Sequence, residues 1–91
     1  MLKIVLTNKF QRDLKLAKKR GYNLDALKDV VDTLSKEEPL PKKNRDHSLS
    51  GNFSDYRECH IAPDWLLIYR VFHDELILVL SRTGTHSDLF N

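Results

Sequence analysis

The chain has 91 residues, 41% of them hydrophobic, with a formal net charge of +2, so we expect residues 1–91 to form one folded domain with a modest core. Its single cysteine, Cys59, excludes an internal disulfide bond, and this fits a reducing compartment. The first ten residues do not resemble a secretory signal and the apolar runs are too short to span a bilayer, so we expect a cytoplasmic protein without membrane contact.

The N-terminal residues predict a short strand followed by a helix. Leu2–Leu6 alternates weakly and is predicted to be the strand, whose place in a sheet the sequence does not define. Thr7 or Asn8 can cap the helix through a side-chain oxygen, and Gly21 suits the position just after its end.

A second helix is predicted to begin at Asn23 or Asp25 and to carry one apolar stripe. That stripe consists of Leu24, Leu27, Val30, Val31 and Leu34. Pro39 and Pro41 stop the helix, since proline lacks the backbone donor that a helix interior needs. The short connection between the two helices predicts an antiparallel helical hairpin.

The remainder of the chain predicts three strands. They are Tyr56–Ile61, Trp65–Phe72 and Leu76–Arg82, joined by connections short enough for hairpins. The predicted fold is therefore α+β in the order β-α-α-β-β-β, with the two-helix hairpin packed on a small antiparallel sheet.

The charge is distributed unevenly along the chain. Residues 1–45 carry 12 Lys and Arg against 6 Asp and Glu, a net of +6, whereas residues 46–91 carry 3 against 7, a net of −4. The cluster Lys15–Arg20 is the kind of basic surface that binds a phosphate backbone. A solvated helix face is the ordinary alternative for such a charge run.

All four histidines lie in the second half of the chain, at His47, His60, His73 and His86. Their equal spacing of 13 residues is coincidental, because the surrounding sequences share nothing. Histidine both accepts and donates a proton near neutral pH, which is what metal-independent RNA cleavage by 2′-OH attack requires.

The predicted hairpins bring several polar residues together. His60, Trp65 and Arg82 are expected to lie in one row across three strands, spanning roughly 10 Å. Asp64 lies in the turn at the same end of the sheet, and the chain after Arg82 can return His86 to it. This grouping offers His and Asp for proton transfer, Arg for the phosphate and Trp for base stacking.

Each of these residues also has a structural interpretation. Trp65 taken alone is more typical of a core than of a stacking surface, His47 could order its loop, and His73 in a tight turn is read as structural. Cys59 and His60 point to opposite faces of a strand, and no paired ligand motif is present. We therefore expect neither a metal site nor another cofactor.

Three segments, DHSLSG, YRECHIAPDWLLIYR and RTGTHSDLF, resemble the RelE-like toxins of bacterial type II toxin–antitoxin systems, and among them the YafQ branch. The resemblance covers nearly the whole chain. It implies an endoribonuclease, an mRNA interferase that cuts mRNA in the ribosomal A site and inhibits translation. It also implies a cognate antitoxin protein and contact with the RNA of the small ribosomal subunit.

Carried onto this sequence, the resemblance implies a set of functional positions. The catalytic positions are His47, His60, Asp64, Arg82 and His86, the substrate-binding ones are Trp65 and Phe90, and the ribosomal RNA-binding ones are Lys15, Lys18, Lys19 and Arg20. We take His86 as the general acid, His60 or Asp64 as the general base, and Arg82 as the phosphate ligand. His47 would support the phosphate or the second proton transfer.

Two alternatives remain open from the sequence. A toxin of the same fold that inhibits gyrase without cutting RNA would not need a histidine-lined site. A plain RNA- or ribosome-binding module would carry these histidines incidentally. Cleavage of RNA, as opposed to binding alone, distinguishes both from the nuclease.

Overall fold

The structure, a computed structural model, describes residues 1–90. Within them the elements follow one another as β1 (Lys3–Leu6), α1 (Asn8–Lys19), α2 (Leu24–Ser35), β2 (His47–Ser48), β3 (Arg57–Ala62), β4 (Trp65–Phe72), β5 (Ile77–Gly84) and α3 (His86–Phe90). The predicted α+β class is confirmed. The predicted element order lacked β2 and α3, which are too short to give a periodic pattern. No helix in the described range is long and apolar enough to cross a membrane.

The five strands form one sheet in the order β1-β5-β4-β3-β2. Strands β3 to β5 pair antiparallel, as predicted, and β2 also pairs antiparallel with β3. The first strand, β1, whose place the sequence left open, pairs parallel with β5, with Val5 opposite Val79, so the sheet is mixed. Pairing between the two ends of the chain depends on distant contacts that no local pattern reports.

The helix starts follow the predicted capping residues. The Thr7 hydroxyl accepts a hydrogen bond from the backbone N–H of Phe10 at 3.0 Å. The Asn23 side chain accepts from the N–H groups of Asp25 and Ala26 at 3.1 and 3.3 Å. These contacts satisfy donors that the first turn of a helix leaves free.

Successive residues of a strand point to opposite faces of the sheet, so the two faces carry different side chains. On β4, Trp65, Leu67 and Tyr69 join the core formed with α1 and α2, and we call this the helix face. Leu66 and Ile68 point the other way, to what we call the open face, and both are nevertheless buried. They give the open face an apolar floor.

Candidate active site

A row of residues crosses four strands of the open face. His47 on β2 is paired with Glu58 on β3, Glu58 with Ile68 on β4, and Ile68 with Arg82 on β5. At about 4.8 Å between neighbouring strands, the row is about 14 Å wide. In the adjacent row, His60 is paired with Leu66 and Leu66 with Gly84, which precedes α3.

The predicted row of His60, Trp65 and Arg82 is wrong. His60 is opposite Leu66, one residue away from Trp65. Arg82 is opposite Ile68, because Ser81 is an extra residue between the paired positions of β5. Such a bulge shifts the pairing by one residue and cannot be read from the alternation of side chains. Trp65 belongs to the helix face.

Glu58 lies between two of the histidines and is itself buried. Its carboxylate is 3.5 Å from Nε2 of His47 and 3.8 Å from Nε2 of His60. Each ring is fixed by its other nitrogen, since Nδ1 of His47 donates to the Arg45 carbonyl at 2.6 Å and Nδ1 of His60 to the Pro63 carbonyl at 3.2 Å. A carboxylate held there stabilises positive charge on either ring.

His86, at the start of α3, is oriented by Asp64. Nδ1 of His86 donates to the Asp64 carboxylate at 2.9 Å, and the His86 backbone N–H donates to the same oxygen at 3.1 Å. These two hydrogen bonds, the side-chain one foremost, lower the pKa of Asp64. Nε2 of His86 is left for a substrate, and the ring centroids of His60 and His86 are 5.9 Å apart. Two proton carriers thus face one small region.

Arg82 reaches the open face with part of its guanidinium already bound. Nε and Nη2 donate to the Asp13 carboxylate of α1 at 2.6 and 3.1 Å, and this pairing raises the pKa of Arg82. The Thr83 backbone N–H donates to the same carboxylate at 3.1 Å. Asp13 therefore fixes the direction of the guanidinium and leaves its Nη1 edge available for an anion.

Trp65 does not offer its ring to a ligand. Only 5% of the residue is exposed, its ring packs against Tyr22 with centroids 4.9 Å apart, and Nε1 donates to the Thr83 hydroxyl at 2.8 Å. Thr83 in turn donates to the Leu66 carbonyl at 2.7 Å. The structure thus favours a core role for Trp65 behind the site over the predicted stacking role.

Phe90 and His86 are carried by the same short helix. The Phe90 ring is 6.4 Å from the His86 ring and 48% of the residue is exposed, and its substrate-binding role stays a prediction. Arg20 anchors this helix through two hydrogen bonds to Asp88, at 2.7 and 3.2 Å. A side chain at Gly84 would come within 3.0 Å of Asp88, so glycine allows the close approach of α3.

The basic residues of α1 divide into two groups. Lys15, Lys18 and Lys19 surround the exposed Leu16 on the outer surface of the helix, as expected of an RNA-facing patch. Arg20 instead directs its guanidinium at Asp88 and Tyr22. Arg20 is thus held in an exposed ion pair, and its predicted RNA-binding role stays a prediction.

Two site residues were absent from the sequence prediction. Glu58 precedes His60 by two positions in a strand, so the period of two already placed both on one face. Asp13 gave no such signal, because it reaches Arg82 from a helix at the other end of the chain. Within residues 1–90, no three His, Cys, Asp or Glu side chains are arranged as a metal site.

An α+β domain with histidines, a buried carboxylate and an arginine on its open face is consistent with the class of toxins that its sequence motifs resemble. A family model described as "Bacterial toxin of type II toxin-antitoxin system, YafQ" matches residues 2–91. The chain therefore belongs to the YafQ family of toxins of type II toxin–antitoxin systems, as its sequence motifs predicted.

Similar proteins agree with this assignment. The mRNA interferase toxin YafQ of Escherichia coli is 39% identical over 88 residues, which are 96% of this chain and 94% of that protein. A metal-bound toxin from Helicobacter pylori has a TM-score of 0.94 and 47% identity, over 99% of this chain and 100% of the other. The E. coli DinJ–YafQ toxin–antitoxin complex has a TM-score of 0.89 and 37% identity, over 99% and 98%.

Proposed function

We propose that this toxin is an mRNA interferase that cuts mRNA in the ribosomal A site by attack of a ribose 2′-OH on the adjacent phosphorus. The observation that carries the proposal is the pairing of His60 and His86 across a gap of 5.9 Å between ring centroids, with Glu58 buried beside one and Asp64 bound to the other. Two proton carriers on opposite sides of a scissile bond are what such a cleavage needs.

His86 acts as the general acid in this scheme. Asp64 holds its Nδ1, so a protonated ring presents the Nε2 proton to the leaving 5′-oxygen, and the carboxylate stabilises the charged ring until the proton is transferred. The lowered pKa of Asp64 makes it a poor proton acceptor. Asp64 therefore orients His86, and we assign the general base elsewhere.

His60 is the residue that we assign as the general base. Its Nδ1 donates to the Pro63 carbonyl, so the neutral ring carries its lone pair on Nε2, where it can accept the 2′-OH proton. Glu58 then stabilises the resulting imidazolium, and His47, on the other side of Glu58, supports the phosphate. The free Nη1 edge of Arg82 neutralises charge on the phosphorane.

The surroundings of the site fit a ribosomal substrate. Phe90 is exposed beside His86 and can stack on an mRNA base. Lys15, Lys18 and Lys19 offer ribosomal RNA a cationic helix surface. We further propose that a cognate antitoxin neutralises this chain, as the complex of DinJ with the E. coli relative suggests, and that the toxin acts in the cytoplasm.

Primer extension on an mRNA paused on ribosomes with an empty A site tests the proposal. Wild-type protein should create new 5′ ends at the A-site codon, and naked mRNA should stay intact. The variants His86→Ala and His60→Ala should each lower the rate, by roughly 100-fold or more for a lost proton carrier. Full cleavage by both variants would refute the assignment. Binding without cleavage by folded wild-type protein would favour the RNA-binding or gyrase-directed alternative.

A further inference from the structure

A groove of about 360 Å³ begins beside α3 and combines apolar walls with cations. Its residues include two exposed phenylalanines, a tyrosine, an isoleucine and two cations, which are Phe53, Phe90, Tyr56, Ile68, Lys9 and Arg82. The volume falls in the usual range of small-ligand sites, about 300–1,000 Å³. The groove continues the active site, because Arg82 and Phe90 belong to both.

Phe53 is the residue of this groove that the mechanism does not use. It is 53% exposed, and it is one of two exposed phenylalanine rings that line the groove, the other being Phe90. It lies in the 3-10 turn Gly51–Phe53, where Gly51 has a φ of +66° and the Tyr56 N–H donates to the Phe53 carbonyl at 2.9 Å. The turn therefore holds an aromatic side chain open to solvent at the groove.

The charge of the groove favours an anionic ligand. Lys9 and Arg82 line it, and no carboxylate of the described chain does. A larger groove elsewhere on the sheet has the opposite character, since Glu37, Glu38 and Asp55 are among its lining residues. Aromatic rings beside Lys9 and the free Nη1 edge of Arg82 suit a base and its phosphate.

We propose that this groove holds the nucleotide on the 3′ side of the cut, with its base stacked on Phe53. The inference rests on the proposed function, because His86 protonates the 5′-oxygen that belongs to this nucleotide. Phe90 lies 6.4 Å from His86 and marks where the nucleotide enters the groove. Phe53 is thereby a substrate-positioning residue, and Lys9 is placed to meet the following phosphate.

The test uses mRNAs with 2-aminopurine at single positions around the cut, on ribosomes with an empty A site. A 2′-O-methyl group at the nucleotide 5′ of the cut blocks attack, so that binding is measured without cleavage. Stacking on an aromatic ring quenches 2-aminopurine fluorescence. Wild-type protein should quench the probe 3′ of the cut, Phe53→Ala should lose this quenching, and Phe53→Tyr should keep it. Leu76→Ala, which removes an exposed apolar side chain outside the groove, is the matched control.

Cleavage of the unmodified mRNA provides the second readout. Phe53→Ala should lower kcat/KM by roughly tenfold, as expected for loss of one stacked base, with an unchanged Tm because the ring is exposed. Quenching and kcat/KM equal to wild type in Phe53→Ala would overturn the inference and leave the nuclease intact. A Phe53→Ala protein that only binds its antitoxin more weakly would also overturn it, because the groove would then take a peptide. If wild-type protein quenches but does not cut, only the proposed function fails.

Discussion

Replacing Trp65 separates the two roles that the sequence and the structure assign to it. In the structure its ring is enclosed against Tyr22, and its Nε1 donates to the buried hydroxyl of Thr83 at 2.8 Å. Trp65→Phe keeps an aromatic ring in the core but removes this donor and part of the ring volume. We expect a less stable protein whose active site is still assembled.

The magnitude follows from the contacts that are lost. A buried hydrogen bond contributes about 1 kcal/mol, and the smaller ring leaves a void, so the free energy of unfolding should fall by about 1–3 kcal/mol. A domain of this size loses about 4–8 °C in Tm per kcal/mol, which predicts a decrease of roughly 5–20 °C. Trp65→Ala should cost about 3–5 kcal/mol, a large part of the total stability of a small domain.

Thermal unfolding by far-ultraviolet circular dichroism and primer extension on paused ribosomes measure the two properties on the same samples. At a temperature where Trp65→Phe is fully folded, its kcat/KM should stay within about threefold of wild type, since it loses no contact with the substrate. Phe90→Ala should have the opposite effects, because it removes an exposed ring beside His86: its Tm should be unchanged and its cleavage slower. A Trp65→Phe protein with wild-type Tm and little cleavage would refute the core assignment and restore the stacking role.

Three further predictions concern charged and thiol groups. Asp64→Asn should slow cleavage, because His86 loses the carboxylate that orients it. The pKa of Asp64 is lower in the folded protein than in the unfolded chain, so ionised Asp64 stabilises the fold above the unfolded pKa of about 3.9. This stabilisation is lost as the pH falls through the folded pKa of Asp64. The stability difference between wild type and Asp64→Asn, from urea titrations, should therefore vanish in strong acid, and a difference that persists there would contradict this. Arg20→Ala should lower the single-turnover cleavage rate with little change in Tm, because Arg20 positions α3 through Asp88. Arg20→Lys should recover part of the rate. Equal rates in wild type, Arg20→Ala and Arg20→Lys would exclude this role. Burial raises the pKa of the Cys59 thiol to about 12, so iodoacetamide at pH 8 should alkylate Cys59 only after the protein unfolds. Mass spectrometry of the alkylated protein checks this. Rapid alkylation of the native protein would instead show that β3 opens to solvent.

Local chemistry made much of the fold predictable. Thr7 and Asn23 cap their helices as expected, because capping needs only a short polar side chain beside an apolar periodic segment. The hairpin at Ala62 and Pro63 also follows from a turn signal between two strand-like runs. In the site, Phe90 and His86 lie together because they are four residues apart in one helix, which puts both side chains on the same face.

The sequence could not supply what depends on distant pairing. The parallel contact of Val5 with Val79 and the bulge at Ser81 both arise from how strands meet, and the bulge moves the partner of Arg82 from Leu67 to Ile68. The side of the sheet that Trp65 occupies depends on the same register. The sequence thus named candidate residues whose roles stay predictions, while the geometry that it predicted for one row was wrong.

The short helix α3 is where catalysis depends most on contacts outside the sheet. It has only five residues, and a helix of that length is not stable by itself, so its tertiary contacts decide where His86 points. Those contacts are polar on both sides, a hydrogen bond from His86 to Asp64 at the turn before β4 and an ion pair of Asp88 with Arg20 at the end of α1. The apolar core that stabilises the domain lies on the other face of the sheet. The position of the general acid can therefore change without unfolding the protein, and it should be more sensitive to salt than the fold is, because exposed ion pairs are screened and buried apolar contacts are not.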